Sequence, residues 1–329
     1  MHTFFKGRKA LITGGAGFIG SNLARRLAAY NCEVILVDSL IPEYGGNLYN
    51  VDDIKDKVKM DIADIRDEHA MSYLIQGQDF LFNLAGQNSH LDSMTDPYTD
   101  LEINCKSQLS LLEACRKKNP KIKVVYASTR QIYGVPDYLP VDEKHLLHPT
   151  DVNGINKMAG EWYHILYNNV YGIRATALRL TNTYGPRMRV KDARQTFLGW
   201  WIRQLIEGKT IEIFGDGQQL RDFNYVDDVV EALLLAAVDE KANGHVFNLG
   251  DERPVSLKDL AALMIQITGE GECRLIPFPP ERKIIDIGHY YADFRLIQKT
   301  LGWKPVTPLR DGLKKTLDFY KLNRKHYWE

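Results

Sequence analysis

The chain reads as an α/β protein built on a doubly wound parallel sheet, with a smaller α/β lobe towards its C-terminus. Three observations predict this. The apolar run Ala10-Leu11-Ile12 breaks into a glycine-rich turn and then an amphipathic segment. Strand-like and helix-like segments alternate in the same rhythm as far as about residue 180. Beyond it the rhythm loosens, and Gly, Pro and Arg become frequent. Residues 1–180 are therefore expected to form one domain, with segments near 215–250 returning to it, and 181–329 to form mainly a second lobe.

The first strand leads into Thr13-Gly14-Gly15-Ala16-Gly17-Phe18-Ile19-Gly20. Glycine is needed where a turn takes positive φ and where backbone approaches a diphosphate. The N–H groups at the start of the following helix then face the anion. Phe18, Ile19, Leu23 and Leu27 share one helix face and pack it on the sheet. Glu33 to Asp38 is a second buried strand with an acid at its end. Asp38 stands where a dinucleotide site needs an acceptor for the adenosine ribose hydroxyls. A carboxylate there repels a 2′-phosphate, and the glycine turn carries no Lys or Arg, so the expected cofactor is NAD.

Val58 to Asp64 reads as a third strand running into an acidic turn, with Asp61 and Ile62 beside the adenine or simply ending the strand. Asp79 to Gly86 is a fourth strand; its small last residues allow close backbone approach to a ligand. Leu101 to Lys117 is a helix, and Lys123 to Thr129 a fifth strand ending in hydroxyls. Further on, Phe197–Gly208, Val226–Ala237 and Leu257–Thr268 read as helices, the last capped by Ser256 with Asp259 as partner. Thr210–Phe214 and Gly244–Gly250 read as strands.

Composition narrows the function classes. Lys plus Arg and Asp plus Glu number 42 each, so the formal charge is +0 and nothing points to nucleic acid. No apolar run is long enough to span a bilayer, and the N-terminus enters the first strand too early for a signal peptide. The four cysteines lack C-x-x-C spacing, which suits free thiols in a reducing cytoplasm. His145 and His148 have no partner at metal-ligand spacing, so no metal is expected. Ser128 has no visible His–Asp relay, which disfavours hydrolase chemistry.

With these elements in place the chain resembles the extended short-chain dehydrogenase/reductase family, in its NAD-dependent nucleotide-sugar epimerase and dehydratase branch. The resemblance spans nearly the whole length. It rests on Thr13 to Gly20, Asp38, Asp61-Ile62, Asn83-Leu84-Ala85-Gly86, Ser128-Thr129 before Ile132-Tyr133-Gly134, and Arg179 to Pro186. Arg221-Asp222-Phe223, Tyr225 to Asp228, Tyr291-Ala292-Asp293 and Leu301-Gly302-Trp303 continue it. It implies a Rossmann-type sheet. It also implies NAD held by Gly14, Gly17, Phe18, Ile19, Gly20, Asp38, Asp61, Ile62, Leu84, Ala85 and Lys157. The substrate implied is a nucleoside-diphosphate sugar.

The family carries Tyr-x-x-x-Lys on the helix after the fifth strand. Here that stretch reads Asn153-Gly154-Ile155-Asn156-Lys157. The resemblance implies that Lys157 holds the nicotinamide ribose and that Thr129 hydrogen-bonds the reacting sugar oxygen. Asn153 stands where relatives use a phenol as base, and an amide has no proton to lose near neutral pH. It is expected to orient a hydroxyl or a water. Two readings follow. In one the enzyme still turns over, its proton moved through water, Lys157 or a stand-in such as Tyr133 or His164. In the other the protein binds cofactor and sugar without catalysis. Tyr133 is expected mainly to pack, and His164 to lie on the outer helix face.

Dehydratases of the family carry an acid pair after the hydroxyl residue. This chain has Arg130-Gln131, which opposes dehydration and leaves C4 epimerisation or oxidation. Arg130 is expected at a carboxylate or phosphate of the ligand, or in an interdomain ion pair. Asn182, Arg221 and Arg282 match residues that hold the diphosphate, and the basic loop around Arg187, Arg189, Lys191 and Arg194 matches one that folds over the nucleotide. Trp200 and Trp201 read as core or lobe contacts. The resemblance implies a homodimer through the helices near Leu101–Lys117 and Asn153–Tyr171.

Overall fold

The computed structural model describes residues 1–329 except Pro42, Gly45, Arg194, Gln195 and Glu329. Seven strands form the main sheet: β1 (Lys9–Thr13), β2 (Glu33–Asp38), β3 (Val58–Ile62), β4 (Phe80–Asn83), β5 (Lys123–Thr129), β6 (Arg174–Leu180) and, after four short strands elsewhere, β11 (Val246–Asn248). Their order is β11-β6-β5-β4-β1-β2-β3, and every pairing is parallel. The chain winds one way from β1 to β3 and the other way from β4 onward. The crevice between the ends of β1 and β4 is thus the topological switch point, where open α/β sheets bind ligands.

Alternation along β1 sends Ala10 and Ile12 to one face and Leu11 to the other. On the first face they meet Leu23 and Leu27 of the helix Phe18–Ala29, and Val229 and Leu233 of Val226–Val238. On the second, Leu11 and Leu81 meet Leu111 and Leu112 of Ser107–Lys118, and Tyr167 of Val152–Tyr171. A sheet buried on both faces explains the near-continuous apolar strands.

The remaining strands pair as short ribbons: β7 (Asn182–Tyr184) with β10 (Phe223–Tyr225), β8 (Ile211–Phe214) with β13 (Cys273–Ile276), and β9 (Leu220–Arg221) with β12 (Val255–Ser256). They share a core of Leu198, Trp201, Leu260, Met264, Leu313 and Tyr320 with the helices Phe197–Ile206, Leu257–Thr268 and Leu309–Asn323. The return of Val226–Val238 and β11 to the main sheet matches the expected interleaving. Ser256 caps its helix as read from sequence, its Oγ accepting the Asp259 N–H at 3.0 Å and donating to Asp259 Oδ2 at 2.7 Å.

One predicted helix is not regular. Between Pro97–Leu101 and Ser107–Lys118 the backbone widens into a π-helical turn, Glu102–Lys106. Such turns mark functional positions, and this one carries Asn104 into the buried cluster described below. Among the described residues no helix is long and apolar enough to cross a membrane.

Candidate active site

The glycine turn and the end of β4 form one edge of a cleft. Gly14 has φ +67°, and a Cβ there would sit 3.0 Å from Ala85 N. A Cβ on Gly20 would lie 2.2 Å from Gly14 O. Positions 14 and 20 therefore tolerate no side chain. Gly17 caps the helix Phe18–Ala29 and brings no side-chain acceptor, so the first N–H groups stay available for an anion. Thr13 locks the opposite wall: its Oγ1 donates to Asn83 Oδ1 (3.0 Å) and accepts the N–H groups of Leu84 (3.0 Å) and Ala85 (3.1 Å).

Gly14, Gly17, Phe18, Ile19, Gly20, Asp38, Leu84 and Ala85 all line this cleft. Burial raises the Asp38 carboxyl, opposed by hydrogen bonds from Leu40 N–H (2.9 Å) and Ala16 N–H (3.0 Å). Asp38 thus ties the glycine turn to the end of β2 while facing the cleft.

Asp61 and Ile62 are not brought there. Both belong to the edge strand β3, and Ile62 is largely exposed. Ala63, Asp64 and Ile65 line the cleft instead. The opening lies beyond the strands' carboxyl ends, so residues following β3 reach it. Around the end of β3 the Asp-Ile pair occurs twice, at 61–62 and 64–65. The second copy, followed by Arg66-Asp67, is the signal that sequence reasoning passed over.

A second cavity of about 710 Å³ joins the first across Phe18, Ile19, Leu84, Asn88, Thr183 and Thr196. That volume lies within the range of small-molecule sites. Thr129, Arg130, Lys157, Asn182, Arg221 and Arg282 all line it. Thr129 ends β5, and its Oγ1 accepts the Gln131 N–H at 3.2 Å. Lys157 lies on the helix Val152–Tyr171, over the Tyr126 ring, with Nζ donating to Ala127 O at 3.2 Å. Burial pulls its ammonium down to about 8, partly offset by Asp100.

Arg130 lies over Tyr290 and donates from Nη2 to Asn182 Oδ1 at 3.3 Å, while its buried Nη1 has no hydrogen-bond acceptor. Arg221 is more committed: its guanidinium donates to the carbonyls of Leu220 and Gly288 and pairs with Asp286 at 3.3 Å. Burial and the neighbouring Arg130 push it down to about 10. Arg282 stacks over Phe214. With Phe278, Phe197, Trp200 and Trp201, Phe214 makes the far end of the cavity aromatic. Trp201 serves both the lobe core and this wall. Arg194 falls outside the described residues.

Asn153 is corrected by the structure. It is buried and does not line the cavity. Its Nδ2 donates to Gln87 O (2.7 Å) and Asp100 Oδ2 (3.0 Å). Asn104 donates to the same two acceptors at 2.9 and 3.0 Å, and Asn156 to Asp100 Oδ1 at 2.8 Å. Three amides thus surround one buried carboxylate beneath the site. The short side chain stops at this cluster, where it braces the floor rather than orienting a substrate hydroxyl.

The expected stand-ins are also placed elsewhere. His164 lies not on the outer face but fully buried, stacked on Tyr126 and with Nδ1 at 2.7 Å from Gly160 O. Burial drives it down to about 4. Tyr133 donates to Asn248 Oδ1 (2.7 Å) and accepts from Arg179 (2.5 Å), inside the sheet's end. Arg179 also makes a two-pronged pair with Glu161, at 2.9 and 2.6 Å, and Glu161 accepts from Ser128 at 2.6 Å. Ser128 is thereby a structural tie.

The cavity also holds an imidazole that sequence reasoning missed. His90, at the start of the helix His90–Thr95, lines the second cavity, with Nδ1 2.8 Å from Asp151 Oδ2. Asp151 caps the helix Val152–Tyr171. Sixty-one positions separate the two (151 − 90), so no local motif joins them.

Residues 10–250 match the sequence profile of the NAD dependent epimerase/dehydratase family. The chain belongs to this family. A protein of Methanocaldococcus jannaschii named putative UDP-glucose 4-epimerase is 33% identical over 316 residues, 96% of this chain and 99% of that one. A UDP-glucose 4-epimerase of Mycolicibacterium smegmatis is 31% identical over 317 residues, 95% and 98% of the two chains. Among solved structures, UDP-glucose 4-epimerase from Thermotoga maritima with UDP-glucose superposes with TM-score 0.88 at 31% identity, covering 96% and 99% of the two chains. UDP-glucuronic acid 4-epimerase from Bacillus cereus, solved with UDP-glucuronic acid and NAD, gives 0.85 at 29%, with the same coverage. As in the family, the cofactor of this epimerase/dehydratase member is NAD. The glycine-rich turn, the open helix start and Asp38 fit it.

Proposed function

We propose that the protein inverts C4 of a nucleoside-diphosphate hexose by moving a hydride out and back. The observation that carries this is the junction of the two cavities, with Thr129 and Lys157 on the sugar side and no carboxylate pair at Arg130-Gln131. Bound NAD supplies a reversible hydride acceptor. The chain's own residues supply the rest. Thr129, accepting the Gln131 N–H, keeps its hydroxyl proton to donate to a sugar oxygen. Lys157 presents a desolvated cation beside the cofactor ribose. Arg130 offers the unpaired N–H to a ligand oxygen, and Arg221 and Arg282 bracket the diphosphate. The aromatic end of the cavity takes the base.

The test is purified protein with UDP- and dTDP-hexoses, followed by product NMR and nicotinamide absorbance. Conversion at C4 is expected. No conversion with bound ligand would favour a non-catalytic binder, and loss of water from the sugar would favour the dehydratase reading.

A homodimer fits the surface. Ile155, Trp162, Leu166 and Val170 leave a half-exposed apolar stripe along Val152–Tyr171. Trp162→Glu with Leu166→Glu is expected to halve the mass seen by light scattering; a wild-type monomer would refute the dimer. The four cysteines are all free, which supports a cytoplasmic location.

A further inference from the structure

The missing phenol takes away the family's proton acceptor, and the sugar cavity holds a candidate to replace it. Three carboxylates on its wall are already paired: Glu212 with Arg274 (2.5 Å), Asp286 with Arg221 (3.3 Å) and Asp192 with Arg189 (2.7 Å). Arg130 stays protonated, and Lys157, even pulled down to about 8, is chiefly an ammonium at neutral pH. Among the described residues lining the cavity, His90 is the one imidazole. Imidazole exchanges a proton near neutral pH.

The ring is held, not loose. Asp151, whose side chain is 0% exposed, places Oδ2 2.8 Å from Nδ1. Asp151 is itself fixed: Oδ1 accepts the Gly154 N–H at 2.7 Å and Oδ2 the Gln131 amide at 3.0 Å. Burial alone would raise this carboxyl; His90, Gly154 and Gln131 outweigh it and hold it ionised below its ordinary range. The His90 side chain is 34% exposed and lines the cavity that Thr129 and Lys157 share. A buried carboxylate behind one ring nitrogen fixes tautomer and orientation and stabilises the imidazolium.

We propose that His90 is the general base at the reacting sugar hydroxyl, with Asp151 as its positioning residue. This rests on the hydride-transfer reading above. The O4 proton passes to His90 Nε2 while the electron pair of the C4–H bond leaves as hydride to the oxidised nicotinamide, and a C4=O bond forms. On return the hydride adds to the opposite face of C4 and the imidazolium gives its proton back to O4. The charge at the ring is Asp151, from the long helix; Lys157 and Arg130 line the same cavity, and Asp92 follows two residues later on the ring's own helix.

The test compares wild type, His90→Gln, His90→Ala and Asp151→Asn. His90→Gln is expected to lose at least about 100-fold in kcat, with calorimetric affinity for UDP-glucose and melting temperature kept. Added imidazole is expected to restore His90→Ala but not His90→Gln. Asp151→Asn keeps a capping side chain; it is expected to lower kcat without raising KM, and to move the acid limb of the pH profile to lower pH. In NMR, the His90 ring signal is expected to shift with UDP-glucose and not with UDP alone. Active wild type with His90→Gln within about threefold, or a ring signal indifferent to the sugar, overturns the role of His90 alone. Wild type that binds no nucleotide sugar fails the parent reading, and His90 with it.

Discussion

Asn153→Ala separates bracing from catalysis. In the wild type the amide gives one hydrogen bond to the Gln87 carbonyl at 2.7 Å and one to the Asp100 carboxylate at 3.0 Å. Both acceptors keep another donor, Asn104, and Asp100 also keeps Asn156. A neutral bond contributes about 1 kcal/mol net and one to a charge about 1.5–3 kcal/mol. The loss is then about 2–4 kcal/mol, at the lower end because neither acceptor is orphaned. Urea unfolding followed by far-UV circular dichroism reads this as a lower midpoint at constant slope. Turnover of the folded variant is expected within about tenfold of wild type. A stability change near zero together with a 1,000-fold loss of kcat would show that the amide acts on substrate, and the bracing argument would fall. Asn153→Tyr belongs in the same series: it loses the same bonds, so lower stability and no gain in rate are expected.

Other expectations follow from single side chains. Asp38→Ala should weaken NAD binding at least about tenfold and narrow the preference over NADP, read by fluorescence titration; an unchanged ratio would free Asp38 of that role. Lys157 is pulled from 10.5 to about 8 by burial, so between those values the unfolded chain holds a proton that the folded chain lacks. Stability of the cofactor-free protein should therefore rise with pH across that window, by ~3 kcal/mol at most, and Lys157→Met should abolish the rise. Glu161→Gln leaves Arg179 buried without its counter-charge, and should cost about 3–5 kcal/mol in unfolding free energy; a cost below 1 kcal/mol would mean that water or Tyr133 compensates.

Much was legible in order along the chain, because it depends on local chemistry. Strand, glycine turn and helix at residues 9–29, the acid ending β2, the hydroxyls ending β5 and the Ser256 cap are each set by neighbours a few positions away. Such patterns, with the long family resemblance, determined the doubly wound sheet, the NAD cleft and most of its lining. The Asp-Ile pair was misplaced by three positions because two copies compete locally and only the end of β3 decides between them. Partnership was a different matter. Whether Asn153 faces a sugar or Asp100, whether His164 is outside or stacked on Tyr126, and whether His90 meets Asp151 depend on groups brought together across the sheet edge from far apart in sequence. Hydrogen-bond direction and burial decide those questions, and both come into being only when the helices close on the strands.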